Sequence, residues 1–184
     1  MIFRTPIETS RLLLEQESLP DFERFYGMSV DPEVMKYIGD GSIFHWTKEV
    51  ALEKFKDTLS RQDHHAFGNL AVYRREGHQY IGWCGVSYSK FLDHMELGYR
   101  YCRDSWGEGV ATEAASAILT ETYGVSDLDD ILACVHPDNA TSIRVLEKLG
   151  FRFSHPRLSK PIGRDMPVYK IDRKTYTQTA QTQD

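Results

Sequence analysis

Two glycines one residue apart, Gly107 and Gly109, stand directly before a run that reads as a helix from Val110 onwards. Residues 95–101 lead into them as a strand. Strand, glycine turn and helix together put the bare N–H groups of residues 107–112 at the positive end of a helix, which is chemistry for phosphate. A dinucleotide fold would place G-x-G-x-x-G early in a βαβ unit, with an acidic residue about 20 positions on. Here the third glycine position is Thr112, and the turn follows a hairpin in mid-chain. A P-loop requires GxxxxGK before Ser or Thr, and the chain has none.

The elements that must hold this turn are legible from periodicity. Residues 11–15 read as a strand, and residues 20–29 as a helix with Phe22, Phe25 and Tyr26 on one face. A mixed stretch with Gly39 and Gly41 surrounds a short helix near 32–38. Thr47 caps a helix reaching about Ser60, with Ala51, Leu52, Phe55 and Leu59 inward. Residues 67–73 and 80–88 form a hairpin around Gly77. The strand 95–101 alternates, with Met95, Leu97, Tyr99 and Tyr101 on one face and Glu96, Gly98 and Arg100 on the other. After the glycines, Ala111, Ala114, Ala115, Ile118 and Leu119 repeat at helical spacing. Residues 131–135 form an apolar strand stopped by Pro137. Asp138 or Asn139 caps the next helix, with Ile143, Leu146 and Leu149 as its stripe and Gly150 as its C-terminal glycine. Strands at 151–154 and 167–172 close the pattern. Residues 175–184, rich in Thr and Gln, carry no stripe and are expected to be a disordered tail after one domain over 1–174.

Composition narrows the class. The 184 residues suit one domain with a real core. A net charge of −5 and a pI near 5.8 disfavour a general nucleic-acid partner. The first residues lack the apolar core of a secretory signal, and no 18-residue apolar run occurs, so a cytoplasmic protein without a membrane partner is expected. Cys84, Cys102 and Cys134 lie far apart with no CxxC pair, and His64 and His65 are adjacent rather than helically spaced. No metal is expected.

The glycine turn gains a partner in residues 135–151, VHPDNATSIRVLEKLGF. Together the two segments resemble the GCN5-related N-acetyltransferase (GNAT) superfamily, and within it the branch of ribosomal-protein N-terminal acetyltransferases. Trp106, Gly107, Gly109, Ala111, Thr112, Glu113 and Ala114 match the branch's Trp-Gly-x-Gly-x-Ala-Thr-Glu-Ala. Asn139, Ser142, Lys148, Gly150 and Phe151 match the second motif. The opening Thr9-Ser10-Arg11-Leu12-Leu13-Leu14 and the segment Asp31-Pro32-Glu33-Val34-Met35 are also similar to that branch. Two departures stand out. Asp104 occupies the superfamily's Gln/Arg position, and Leu146 the place where many members carry a tyrosine acid.

The resemblance implies a single α/β domain with a mixed, mostly antiparallel sheet, splayed between the strands ending near Cys102 and Val135, with helices on both faces. It implies acetyl-CoA as co-substrate and direct acetyl transfer to an amine. The N–H groups of Gly107, Glu108, Gly109, Val110, Ala111 and Thr112 would cradle the pyrophosphate, and the backbone of Tyr101 and Cys102 would pair with pantetheine. Asn139 would contact the same arm besides capping its helix. Glu96 is the general-base candidate, and Ser142, with Leu146 apolar, the candidate for protonating the CoA thiolate; His136 offers an alternative acid or base. Trp106 is expected to pack under the turn. Arg144 and Lys148 stand where they could meet the nucleotide phosphates or simply face solvent. Residues 28–46 and 155–164 would flank the acceptor, with Met35, Tyr37, Phe44 and Trp46 as lining. A protein or peptide N-terminus is the leading acceptor. A small amine (the net charge leans towards polyamines) and a non-catalytic acyl-CoA-binding module are the competing readings. A homodimer stays open.

Overall fold

The computed structural model describes residues 3–39, 45–62 and 67–180. Gly41, Phe44, His64 and His65 fall outside the described residues, as do 181–184. The strands are β1 (Ile7–Glu8), β2 (Leu12–Glu15), β3 (Asn69–Arg74), β4 (Gln79–Ser89), β5 (His94–Tyr101), β6 (Asp130–Cys134), β7 (Arg152–Ser159) and β8 (Arg164–Asp172). The helices are α1 (Phe22–Val30), α2 (Pro32–Met35), α3 (Lys48–Gln62), α4 (Val110–Val125), α5 (Ala140–Lys148) and α6 (Arg173–Ala180). One mixed sheet runs β1-β2-β3-β4-β5-β6-β8-β7, antiparallel throughout except for β5 against β6.

The alternation expected in β5 sorts its two faces. Leu97 and Tyr101, with Met95 and Tyr99 partly buried, pack with the Ala114–Ala115–Ile118–Leu119 stripe of α4 in the main core. The other face is covered by α1 and α2, where Met28, Val34, Ala71, Tyr73, Tyr80 and Cys102 form a second cluster. Phe22, Ala51 and Phe55 lock α1 onto α3, with Leu52 and Leu59 packed beside them as their spacing predicts.

The site depends on how β5 meets β6. Their register is a single pair, Glu96 opposite Leu132. No further pair joins β5 to β6 beyond Glu96, so the sheet opens there, as the resemblance implies. Three residues further along β5, the Tyr99 hydroxyl reaches the first turn of α5.

Three elements differ from expectation. The strand expected over 151–154 runs on to Ser159 and pairs with β8, so residues 155–159 are strand rather than loop. β1 is only two residues long, too short to leave a periodic signal. Residues 173–180, expected from 175 as an unstructured tail, form α6. One aromatic anchors it: the Tyr176 ring lies 5.2 Å from that of Tyr123, and its hydroxyl donates to Ser116 O. Asp172 caps the first turn by accepting from the Thr175 N–H at 2.8 Å. A single anchor makes no stripe, so periodicity missed it.

Candidate active site

Gly107 and Gly109 both adopt φ of +80°, the left-handed region that a Cβ makes costly. The turn brings the chain straight into α4 with Gly109 as N-cap and no side chain capping it. The first-turn N–H groups of a helix have no intrahelical acceptor, so those of Val110, Ala111 and Thr112 are left for a ligand. A groove of about 610 Å³ is lined by Gly109, Thr112, Ser116 and Thr120 together with Lys148, Leu149 and Tyr176. Lys148 and the end of the turn thus border the same groove.

The turn is braced by residues far away in sequence. Glu113, in the first turn of α4, accepts from Thr9 Oγ1 at 2.6 Å, from the Arg11 N–H at 3.1 Å and from Arg11 Nε at 2.7 Å. Burial alone would raise its pKa, but these donors and the Arg11 charge hold it below the ordinary value. Arg11 Nη1 also donates to the carbonyl of Glu108 at 2.9 Å, and Arg74 grips the Glu108 carboxylate through both of its terminal nitrogens. Asp104 is neutralised too: Arg24 Nη2 lies 2.9 Å from its Oδ2. The carboxylate that departs from the motif is therefore paired rather than free to repel phosphate.

At the end of β5, Cys102 turns its N–H to Ile81 O and its C=O to the N–H and hydroxyl of Ser105. Its amide faces β4, so by the alternation of an antiparallel pair the Tyr99 and Tyr101 amides face the opened side. Of the two expected pairing residues, Tyr101 is the one on the open edge. Its carbonyl already accepts from the indole of Trp106 at 3.0 Å. Trp106 itself is half exposed, so it latches the turn through Nε1 rather than packing beneath it.

Glu96 sits where the strands part. Its Oε1 accepts from the Cys134 N–H at 3.2 Å. Burial raises its pKa, partly offset by hydrogen bonds from Ser89 and that N–H. Across the opening, Asn139 caps α5 by accepting from the Ser142 N–H at 3.1 Å. The Ser142 hydroxyl lies 2.8 Å from the hydroxyl of Tyr99. Leu146 is fully buried and belongs to the core. His136 packs against Tyr37 with the rings tilted by 31° and their centroids 5.0 Å apart, and its Nε2 approaches Arg164 Nη1 at 3.4 Å. Both flanking segments therefore come together at His136. Met35 is buried, and Trp46 packs with the Phe22–Phe55 cluster under the Lys54 ammonium. Cys84 and Cys134 are both pushed up to about 12 by burial, which makes them inert thiols. Among the described residues, no group of three or more His, Cys, Asp or Glu could hold a metal.

Residues 11–152 match the family model described as the acetyltransferase (GNAT) domain. This chain belongs to the GNAT acetyltransferase family. Among relatives of this GNAT domain, YnaD of Bacillus subtilis (strain 168), described as an uncharacterized N-acetyltransferase, is 31% identical over 147 residues, covering 79% of this chain and 82% of that one. An acetyltransferase of the same family from Bacillus anthracis superposes with a TM-score of 0.77 at 24% identity, over 91% of this chain and 98% of its own. RimL, described as a ribosomal L7/L12 alpha-N-protein acetyltransferase in complex with coenzyme A, gives 0.75 at 11% identity, over 90% and 97%. At such identities these two structures speak to the fold, an α/β domain with an opened eight-stranded sheet.

The residues whose part in the site no motif announced are Thr9, Arg11, Arg24, Arg74 and Tyr99. The Thr9–Arg11 segment was visible as a motif, but its task, holding Glu113, needs the fold. Tyr99 was legible only as a core-facing position of β5.

Proposed function

We propose that this GNAT protein is an acetyl-CoA-dependent N-acetyltransferase that moves the acetyl group directly to a primary amine, with the α-amine of a protein or peptide N-terminus as acceptor. The observation that carries this reading is the position of Glu96, a buried carboxylate at the one point where β5 and β6 still pair before they part. The N–H groups of residues 107–112 cradle the pyrophosphate, the Tyr101 edge of β5 and Asn139 meet the pantetheine arm, and Lys148 stands by the nucleotide phosphates. Glu96 takes a proton from the amine as nitrogen attacks the thioester carbonyl. As the C–S bond breaks, Ser142 gives its hydroxyl proton to sulfur. His136, packed against Tyr37, shapes the acceptor side.

The strength of the base bears on the acceptor. An α-amine with a pKa near 8 is about one-tenth neutral at pH 7, whereas neutralising a lysine amine near 10.4 costs about 4.6 kcal/mol. One carboxylate suffices for the first task more readily than for the second. Asp104 and the absence of a tyrosine at Leu146 lean towards the non-catalytic module; Arg24 pairs with Asp104 at 2.9 Å, which removes the first of these grounds.

The deciding experiment measures CoA release from acetyl-CoA with peptides of varied N-termini, amino acids, polyamines and aminoglycosides, beside a no-acceptor control. Peptide-dependent release is expected. Release with polyamines or aminoglycosides only would replace the acceptor class. Acetyl-CoA binding with silence across the panel would replace the enzyme with an acyl-CoA-binding module.

A further inference from the structure

With Leu146 in the core, α5 offers no phenol to the reaction. A phenol arrives from another element. Tyr99 of β5 brings its hydroxyl to 2.8 Å from Ser142 Oγ and 3.3 Å from Ser142 O. We propose that Tyr99 is a positioning residue whose O–H donates to Ser142 Oγ, so that the serine's own hydrogen is aimed at the departing thiolate. The inference rests on the reading of Ser142 as proton donor given above.

A serine hydroxyl carries one hydrogen on a free rotor. If Ser142 donated to Tyr99, the tyrosine hydrogen would go to the Ser142 carbonyl at 3.3 Å and the serine would have no hydrogen to give. With Tyr99 donating across the shorter contact, the serine oxygen is the acceptor and its own hydrogen is left for the thiolate. Tyr99 is suited to stay a donor, because burial raises its pKa far above that of a free phenol. The Ser142 backbone is separately fixed by the Asn139 cap, and the Tyr99 ring is held in the core beside Tyr101 at 6.2 Å. Each half of Ser142 is thus oriented by a different partner.

The protons balance without a phenolate. The amine's surplus proton goes to Glu96 and on to water, the proton on CoA sulfur comes from Ser142 O–H, and water restores the serine. Tyr99 keeps its proton throughout. Its contribution is orientation, and it vanishes when there is no serine hydroxyl to orient.

Four proteins test this: wild type, Tyr99→Phe, Ser142→Ala and the double variant, each assayed for kcat and for KM of acetyl-CoA, with thermal melting to show that each is folded. Tyr99→Phe is expected to lower kcat about tenfold, with the acetyl-CoA KM changed by less than about twofold. In the Ser142→Ala background the same change is expected to cost nothing further in kcat. Unchanged kcat in Tyr99→Phe, or full additivity in the double variant, would overturn the positioning role and leave the transferase reading intact. Full activity in Ser142→Ala would overturn the serine as donor and Tyr99's role with it. Wild type that transfers acetyl to no amine would remove both together with the proposed function.

Discussion

A general base works only when ionised, and Glu96 is buried at the parting of two strands. Burial raises its pKa above 4.5, with the Ser89 and Cys134 hydrogen bonds opposing that shift only in part. Activity should therefore rise with pH through a limb displaced above the ordinary carboxylate range. Glu96→Gln is expected to abolish that limb and to lower kcat by about 100-fold or more. Acetyl-CoA affinity, measured by calorimetry, should be kept, since the phosphate turn lies on other residues. An unshifted acid limb in Glu96→Gln would assign the base to another group, with His136 the next to test.

At the scale of elements, the glycine turn is a tertiary product. Gly107 and Gly109 supply the left-handed backbone, but Glu113 holds the turn against the β1–β2 connection through Thr9 and Arg11. Hydrogen bonds to charged groups contribute about 1.5–3 kcal/mol each. Arg11→Ala also releases the carbonyl of Glu108. It is expected to weaken acetyl-CoA binding about tenfold while leaving the acceptor KM nearly unchanged, since the proposed acceptor side lies on other segments, around Tyr37, His136 and Arg164. Glu113→Gln keeps part of the hydrogen bonding and should cost less. Calorimetric titration with acetyl-CoA checks both. Equal binding by Arg11→Ala and wild type would show that the turn holds its shape unaided.

For the whole molecule, the face of the sheet under α1 carries a buried polar group with a measurable consequence. Glu17 accepts from the Tyr80 hydroxyl at 2.9 Å, and burial, with the nearby Asp21 charge adding to it, raises its pKa from 4.5 to about 7. A carboxyl whose folded pKa is raised favours the protonated fold. Its contribution is full below pH 4.5 and is lost as pH climbs to about 7, a change of about 3 kcal/mol. Glu17→Gln, which can still accept from Tyr80, should flatten this dependence, and its melting temperature should exceed that of wild type at pH 8 but not at pH 4.5. Parallel melting curves at the two pH values would show that Glu17 is solvated in the fold.

The sequence alone determined the elements whose signals are local. The glycine pair, the Asn139 cap, the α4 and α5 stripes and the alternation of β5 come from spacing within a few residues, and spacing fixes backbone state and buried face. The GNAT fold was expected from the resemblance carried by two motifs, 106–114 and 139–151, and with it Glu96 and Ser142 stood as candidates. What spacing cannot encode is which distant side chain meets which. Arg11 on Glu113, Arg24 on Asp104 and Tyr99 on Ser142 join residues 43 to 102 positions apart. Docking of α6 by one tyrosine was hidden for the same reason. Only the closed fold decides these pairings, because partner choice depends on where the sheet opens and which strand edges it leaves facing a helix.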